Sequence, residues 1–218
     1  MTPSLTQLPR LGGLLCLDFV NTVDPRYGDD RIEYLGDYAS LAEWAAWIGA
    51  VPPERRDALL ADGGEDPGRA AAVHRRALAL REDLHALLRP ESRAAPDDGS
   101  LRRFNRELQA ASRHFVLEKA AGGYAGHWET GKGLDEVLWP VARSAAELML
   151  SPDALRRVRE CQGVDCGWLF IDTSKAGRRR WCSMDVCGNR MKSSRYRQRV
   201  REAGRLGSAP RRARASAG

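Results

Sequence analysis

The chain has 218 residues, 43% of them hydrophobic, enough for one full domain and a small appendage. Its formal charge of +6 hides a division: residues 1–155 carry 18 Lys+Arg against 24 Asp+Glu, whereas residues 156–218 carry 17 against 5. Such asymmetry excludes an evenly charged globule and points to a polyanion-binding end on an acidic body, while no apolar run reaches membrane-spanning length.

The first apolar run, Gly13 to Val23, reads as a short strand ending at the turn-former Asn21, and residues 24–36 read as an Asp- and Gly-rich loop. Ser40 and Glu43 suggest a capping box, followed by a helix with Leu41, Trp44, Ala45 and Ile48 on one face. Pro52 and Pro53 end that helix and open another over 54–61. Asp66-Pro67 is a start signal for a long helix over 67–89, with Val73, Ala77, Leu80, Leu84 and Leu87 or Leu88 as its apolar stripe and Pro90 as its stop. After a linker over 91–99, a helix follows at 100–112, then a β-hairpin within 113–130 around Gly122-Gly123. Leu134, Val137, Leu138, Val141, Ala145 and Leu148 predict a helix over 134–149, and Ser151-Pro152 opens a last short element.

Four of the five cysteines fall in one cluster, Cys161-x4-Cys166 and Cys182-x4-Cys187. Met1 to Arg10 lacks the charged start and apolar stretch of a secretory signal, which points to the cytoplasm. In that reducing compartment such a cluster binds metal more readily than it forms disulfides. Zinc takes four tetrahedral ligands at about 2.3 Å from sulfur, and two close pairs brought together by a hairpin supply them. Trp168–Ile171 reads as one strand, Asp172–Gly177 as a turn, Arg178–Trp181 as the returning strand and Ser183–Val200 as a helix carrying Cys187. Together these describe a treble-clef-like finger with one structural Zn2+ and no open coordination position. The alternative is four buried or disulfide-bonded cysteines. Cys16 stands apart as a small core residue.

Beyond Cys187 come Arg190, Lys192, Arg195, Arg197, Arg199 and Arg201, and the hairpin adds Lys175, Arg178, Arg179 and Arg180. Such residues neutralise phosphates, and arginine also reads guanine edges in duplex DNA. Asn189 is either a base reader or a helix-turn residue. A solvated charged helix, an acidic protein partner or RNA are the alternatives. Asp18, Asn21 and Thr22 end the first apolar run, where they could line a ligand pocket or serve as turn and cap groups. The body is expected to bind a small-molecule effector, to form a homodimer, or both.

Enzyme signatures are weak. His74, His85, His114 and His127 form no His-Glu-x-x-His pattern. Gly126–Lys132 matches most of a phosphate-binding loop, but Gly133 stands where the magnesium-binding hydroxyl belongs. No catalytic residue is assigned, and an activity in the body is the weakest of the readings.

The string Cys187-Gly188-Asn189-Arg190, with Trp181-Cys182-Ser183-Met184 before it, resembles the CGNR zinc-finger family. Cys161-x4-Cys166-Gly167-Trp168-Leu169-Phe170 and Asp172-Thr173-Ser174 resemble it as well. Leu17-Asp18-Phe19-Val20-Asn21-Thr22 resembles the opening of the ABATE domain that accompanies this finger. The resemblance covers nearly the whole chain, though residues 60–130 carry no matched motif. It implies a stress-induced bacterial transcription regulator and therefore DNA binding. The expected architecture is α+β and mainly α: a helical ABATE-like domain with short strands over 1–150, a zinc finger over 151–203 and a basic, disordered tail over 204–218.

Overall fold

A computed structural model describes residues 4–189 apart from Pro96. The architecture is mainly helical with short strands, as expected; among the described residues the strands form three two-stranded sheets, and the body opens on a helix. In α1 (Leu15–Val20), Cys16, Leu17, Phe19 and Val20 are all buried. A six-residue segment buried nearly all round shows no polar face, so its pattern is that of a buried strand. Gly12 makes the entry to α1 tight. Its amide donates to the Asp18 carboxylate at 2.8 Å, and a Cβ there would lie 2.7 Å from the Asp18 nitrogen.

Within the expected loop over 24–36, β1 (Val23–Asp24) pairs antiparallel with β2 (Ile32–Glu33). The next helix, α2 (Tyr38–Ile48), starts a turn before the expected cap. Asp37 is the N-cap: its carboxylate accepts from Ser40 N at 2.8 Å, and Ser40 Oγ accepts from Asp37 N at 3.0 Å. The box is thus built from Asp37 and Ser40, with Ser40 one turn inside the helix rather than at its cap. α3 (Arg55–Glu65) continues past 61 through Gly63, where a Cβ would lie 2.8 Å from the Tyr38 ring. Asp66 caps α4 (Pro67–Leu88) by accepting from Arg69 N at 2.9 Å. The apolar stripe of α4 is buried as predicted, together with Arg81, Asp83 and His85.

A 3-10 turn at Pro90–Arg93 leads to α5 (Asp98–Ser112), capped by Asp97. The hairpin follows as β3 (Phe115–Ala120) and β4 (Gly123–Trp128), in register from Phe115↔Trp128 to Ala120↔Gly123. Gly122 adopts φ 81° in the turn. The helix expected over 134–149 is divided into a 3-10 turn at Leu134–Leu138 and α6 (Trp139–Met149). Pro140 explains the division, because its nitrogen cannot donate to the preceding turn. Ser151 caps α7 (Pro152–Arg156). Finally, β5 (Val158–Glu160) and β6 (Leu169–Ile171) pair antiparallel, Val158 opposite Ile171.

One continuous core runs from Leu8 to Cys187, with no gap near residue 150. α1 lies at its centre, against α4, α6 and β6. Trp168, Leu169 and Phe170 of the cysteine region are buried in it. A polar layer beside α1 is fully paired: Arg81 grips Glu33 with two bonds of 2.6 and 2.7 Å and donates to Thr22 Oγ1. Arg26 donates to Val20 O at 2.8 Å and to Glu82 at 2.5 Å. No described helix is long and apolar enough to cross a membrane.

Candidate metal centre and nucleic-acid interface

Cys161 follows β5 and Cys166 precedes β6, so the first pair occupies the loop that joins the two strands. That loop turns back through two left-handed residues, Asp165 at φ 58° and Gly167 at φ 63°. Gly167 is needed twice over, because a Cβ would also lie 2.4 Å from the Tyr27 ring. Gly163 lets the second pair approach, since a Cβ there would lie 3.0 Å from Cys187 Sγ. Cys182 arrives on an extended segment tied to the loop by Gln162 N donating to Arg180 O at 2.9 Å. Cys187 sits in one π-helical turn, Met184–Gly188, whose N-cap Ser183 accepts from Asp185 N and Val186 N.

The hairpin expected between 168–171 and 178–181 does not form. β6 pairs instead with β5, on the other side of the first cysteine pair. The reason lies in Asp172, which holds the returning segment by its side chain. Its carboxylate, buried at 1% exposure, accepts from Ser174 N, Ser174 Oγ and Arg179 N at 2.9, 2.6 and 2.9 Å. The loop therefore closes on a carboxylate, and the ladder position beside β6 is free for β5.

All four sulfurs are buried and lie within 4.8 Å of one another. Cys166 Sγ is 3.8 Å from Cys182 Sγ, which is 3.7 Å from Cys187 Sγ. A tetrahedron with zinc–sulfur bonds of about 2.3 Å has edges of about 3.8 Å, so the spacing fits the ion. Backbone amides of Gly163 and Cys182 donate to Cys161 Sγ at 3.4 and 3.3 Å, which favours a thiolate there. Side-chain hydrogen bonds from Cys166, Cys182 and Cys187 draw the Cys161 thiol well below its usual range, while the contact with Cys161 pushes Cys166 and Cys182 up. A dication at the centre lets all four ionise together. Four protein sulfurs fill the coordination sphere, so the zinc is single and structural.

The basic residues fall into two groups. Lys175, Arg178 and Arg180 are exposed on the loop that Asp172 organises, Arg180 with its Nε on Gln162 Oε1 at 2.7 Å. Arg179, expected beside them as a nucleic-acid contact, turns inward. Its guanidinium lies 4.5 Å over the Phe170 ring and donates to Trp181 O at 2.9 Å and to Cys182 O. Half-buried, it braces the backbone around a zinc ligand. Asn189 is exposed, with Nδ2 donating to Asp185 O at 3.3 Å. Arg190, Lys192, Arg195, Arg197, Arg199 and Arg201 lie outside the described residues, as do most of the expected 183–200 helix and the tail.

Asp18, Asn21 and Thr22 come together around α1, and their polar groups meet the protein's own atoms. Asn21 Nδ2 donates to Leu169 O at 2.8 Å, and Leu169 N donates to Asn21 Oδ1 at 2.9 Å. Thr22 Oγ1 donates to Phe19 O at 2.8 Å and accepts from Arg81. Burial raises the Asp18 carboxyl above its usual range. Sequence reasoning missed the rest of this seam. Trp168 Nε1 donates to Val23 O, Arg26 N to Cys166 O, Tyr27 N to Asp165 O and Ile171 N to Gly12 O. Arg26 and Tyr27 carried no signal, because their segment reads as loop and its partners lie far along the chain.

Residues 13–152 match the ABATE family model, described as "Putative stress-induced transcription regulator", and residues 157–200 match the CGNR zinc-finger model. No curated protein matches the chain.

Proposed function

Since the chain belongs to the ABATE family and carries a CGNR zinc finger after that domain, we propose that it is a bacterial, stress-responsive transcription regulator that binds duplex DNA. The observation that carries this reading is the cysteine centre. It anchors Cys187 immediately before the basic stretch from Arg190, in a region holding 17 Lys+Arg against 5 Asp+Glu. On this reading Arg178, Arg180, Asn189, Arg190, Lys192, Arg195, Arg197, Arg199 and Arg201 contact DNA, with Lys175 beside them. The zinc is structural, the body over 13–152 takes a small-molecule effector and forms a homodimer, and the protein works in the cytoplasm without catalysing a reaction.

The test is duplex binding by the zinc-loaded full chain across a salt series. Affinity should fall linearly in log–log terms, with a slope of about −0.9 for each phosphate neutralised. Arg190→Ala and Arg197→Ala should weaken binding while the metal content stays at one per chain. Absence of duplex affinity at low salt ends the proposal.

A further inference from the structure

Helix α5 packs on the body through Phe104, Leu108 and Ala111. On the opposite side, Arg102, Arg106, Gln109 and Arg113 fall within about 60° of the helix circumference, and all four are exposed. Asn105, also exposed, flanks them. From Arg102 to Arg113 the backbone rises about 16 Å.

The body has carboxylates to spare, with 24 Asp+Glu against 18 Lys+Arg over residues 1–155. Elsewhere its arginines take them up: Arg55 pairs with Glu136, Arg81 with Glu33 and Arg143 with Glu147. On α5 itself Arg103 pairs with Asp83, and Glu107, the only acid between Arg102 and Arg113, bonds Arg76 of α4. Arg102, Arg106 and Arg113 have no partner among the described residues, and Arg102 makes no ion pair even with Asp98 one turn before it. Arg102 and Arg106 stand four apart, where like charges weaken a helix. A row of one sign on a body of the other sign is a surface for a polyanion.

The row also has a direction. The 3-10 turn at Pro90–Arg93, just before α5, packs against β5. Asp83, which Arg103 grips, lies two residues from His85, whose Nε2 meets Gly167 O. The Arg102 end therefore points towards the finger, and Arg113 lies at the hairpin.

We propose that this row is a second DNA contact, in which Arg102, Arg106 and Arg113 each neutralise a backbone phosphate of the duplex that the finger engages. The guanidinium fork matches phosphate oxygens, and the Gln109 and Asn105 amides are donors of the kind that phosphates also accept. Such contacts read no sequence, so they add affinity and leave specificity to the finger. Duplex DNA suits the row better than an acidic protein does, because one extended polyanion can run from the basic finger along α5. The inference rests on the duplex binding proposed above and adds a face of the body to it.

The experiment uses the zinc-loaded full chain carrying Arg102→Gln, Arg106→Gln and Arg113→Gln together, since glutamine keeps the helix propensity. Unfolding midpoint and zinc content should match those of the unsubstituted chain. The log–log salt slope of duplex binding should flatten by about 2.7, so that the affinity ratio between 50 and 200 mM salt shrinks about 40-fold. The change should be the same on two duplexes of unrelated sequence. Arg106→Gln alone, should the triple variant misfold, should flatten the slope by about 0.9. Arg69→Gln is the control: this exposed arginine stands among Asp62, Glu65 and Asp66, which repel phosphate, and its loss should leave the slope unchanged. The inference is overturned if the triple variant keeps the slope, or if Arg69→Gln flattens it as much as Arg106→Gln does, which would mark an effect of net charge alone. An unsubstituted chain without duplex affinity at low salt overturns both readings. If it binds, and only Arg190→Ala and Arg197→Ala flatten the slope, this inference falls alone and the row is left to an acidic protein.

Discussion

The Asn21 side chain behaves as one more strand beside Leu169, giving its amide hydrogen to the Leu169 carbonyl and taking the Leu169 N–H in return. Both residues are at most 1% exposed. β6 is thereby paired on one edge by β5 and on the other by Asn21 and, one step along, by the Gly12 carbonyl, which accepts from Ile171 N. Replacing Asn21 by Ala leaves a buried N–H and a buried C=O without partners. Each costs roughly 1–3 kcal/mol, so a loss of about 2–6 kcal/mol is expected in denaturant unfolding of the zinc-loaded chain. Zinc should also pass faster to a chelator, because Cys166 lies close before the strand that Asn21 holds. A loss well below 1 kcal/mol would mean that the clasp does not secure the finger.

This clasp also marks where local sequence stops being informative. The Asp66-Pro67 start, the hairpin around Gly122-Gly123 and the four cysteines carry their instructions within a few residues, and each forms as read. α1 does not, because burial nearly all round erases the 3.6-residue period. α2 starts before the expected cap because Ser40, a good cap residue, serves Asp37 instead. β6 lacks the expected hairpin partner because a carboxylate, Asp172, holds the returning segment in place of a strand. The Asp172-x-Ser174 spacing is an Asx-turn pattern, and it is the one signal that could have corrected that reading. Asn21 and Thr22 stand out in the sequence as polar groups at the end of an apolar run, but their partners lie on other elements and no local pattern names them.

His85 gives the fold an acid-sensitive point. Its Nε2 lies 3.3 Å from Gly167 O, across the same seam, with the Tyr27 ring edge-on at 6.3 Å. Burial first, then the nearby Arg26 and Arg89 charges, push it down to about 3 from 6.5. The folded pKa is depressed, so below about pH 6.5 the unfolded chain binds a proton that the folded chain refuses. Stability due to this residue therefore falls as pH drops from about 6.5 towards 3, by roughly 1.4 kcal/mol per pH unit. His85→Gln keeps an N–H for Gly167 O and removes the titration. The difference between the two unfolding curves should be flat above pH 7 and should grow in favour of the variant below pH 6. Acid loss of zinc affects both proteins alike and cancels in that difference. Parallel curves down to pH 4.5 would contradict the assignment.

Two adjacent arginines should separate cleanly by function. Arg178 is exposed, so Arg178→Ala should leave the unfolding midpoint unchanged and reduce the salt slope of duplex binding by about 1. Arg179 is folded over Phe170 and bonded to Trp181 O and Cys182 O. Arg179→Ala should lower stability by about 1–3 kcal/mol, the range for removing charged hydrogen bonds to part-buried carbonyls, and speed zinc loss. Arg179→Lys should recover only part of this, because an ammonium cannot span two carbonyls and cover a ring at once. If Arg179→Ala changes the salt slope and spares the midpoint, the two roles are reversed.

Cutting the chain before Val158 should produce a finger that still binds zinc but no longer holds its shape. The four sulfurs and the Asp172 loop lie entirely within residues 158–189, so the metal centre keeps its own ligands and amide donors. The outward faces of Trp168, Leu169 and Phe170 do not, since in the whole protein they are buried against the body. Exposing them forfeits about 1.5–3 kcal/mol each, a large share of what so small a unit can bury. It also leaves Trp168 Nε1, the outer edge of β6 and the Cys166 carbonyl without Val23, Asn21 and Arg26. The fragment is therefore expected to bind zinc at least tenfold more weakly than the full chain, with red-shifted, solvent-exposed tryptophan emission and poor amide dispersion. Co-expression with residues 1–157 should restore both. A fragment that matches the full chain in zinc affinity and in amide dispersion would show that the seam is mere contact and that the finger folds on its own.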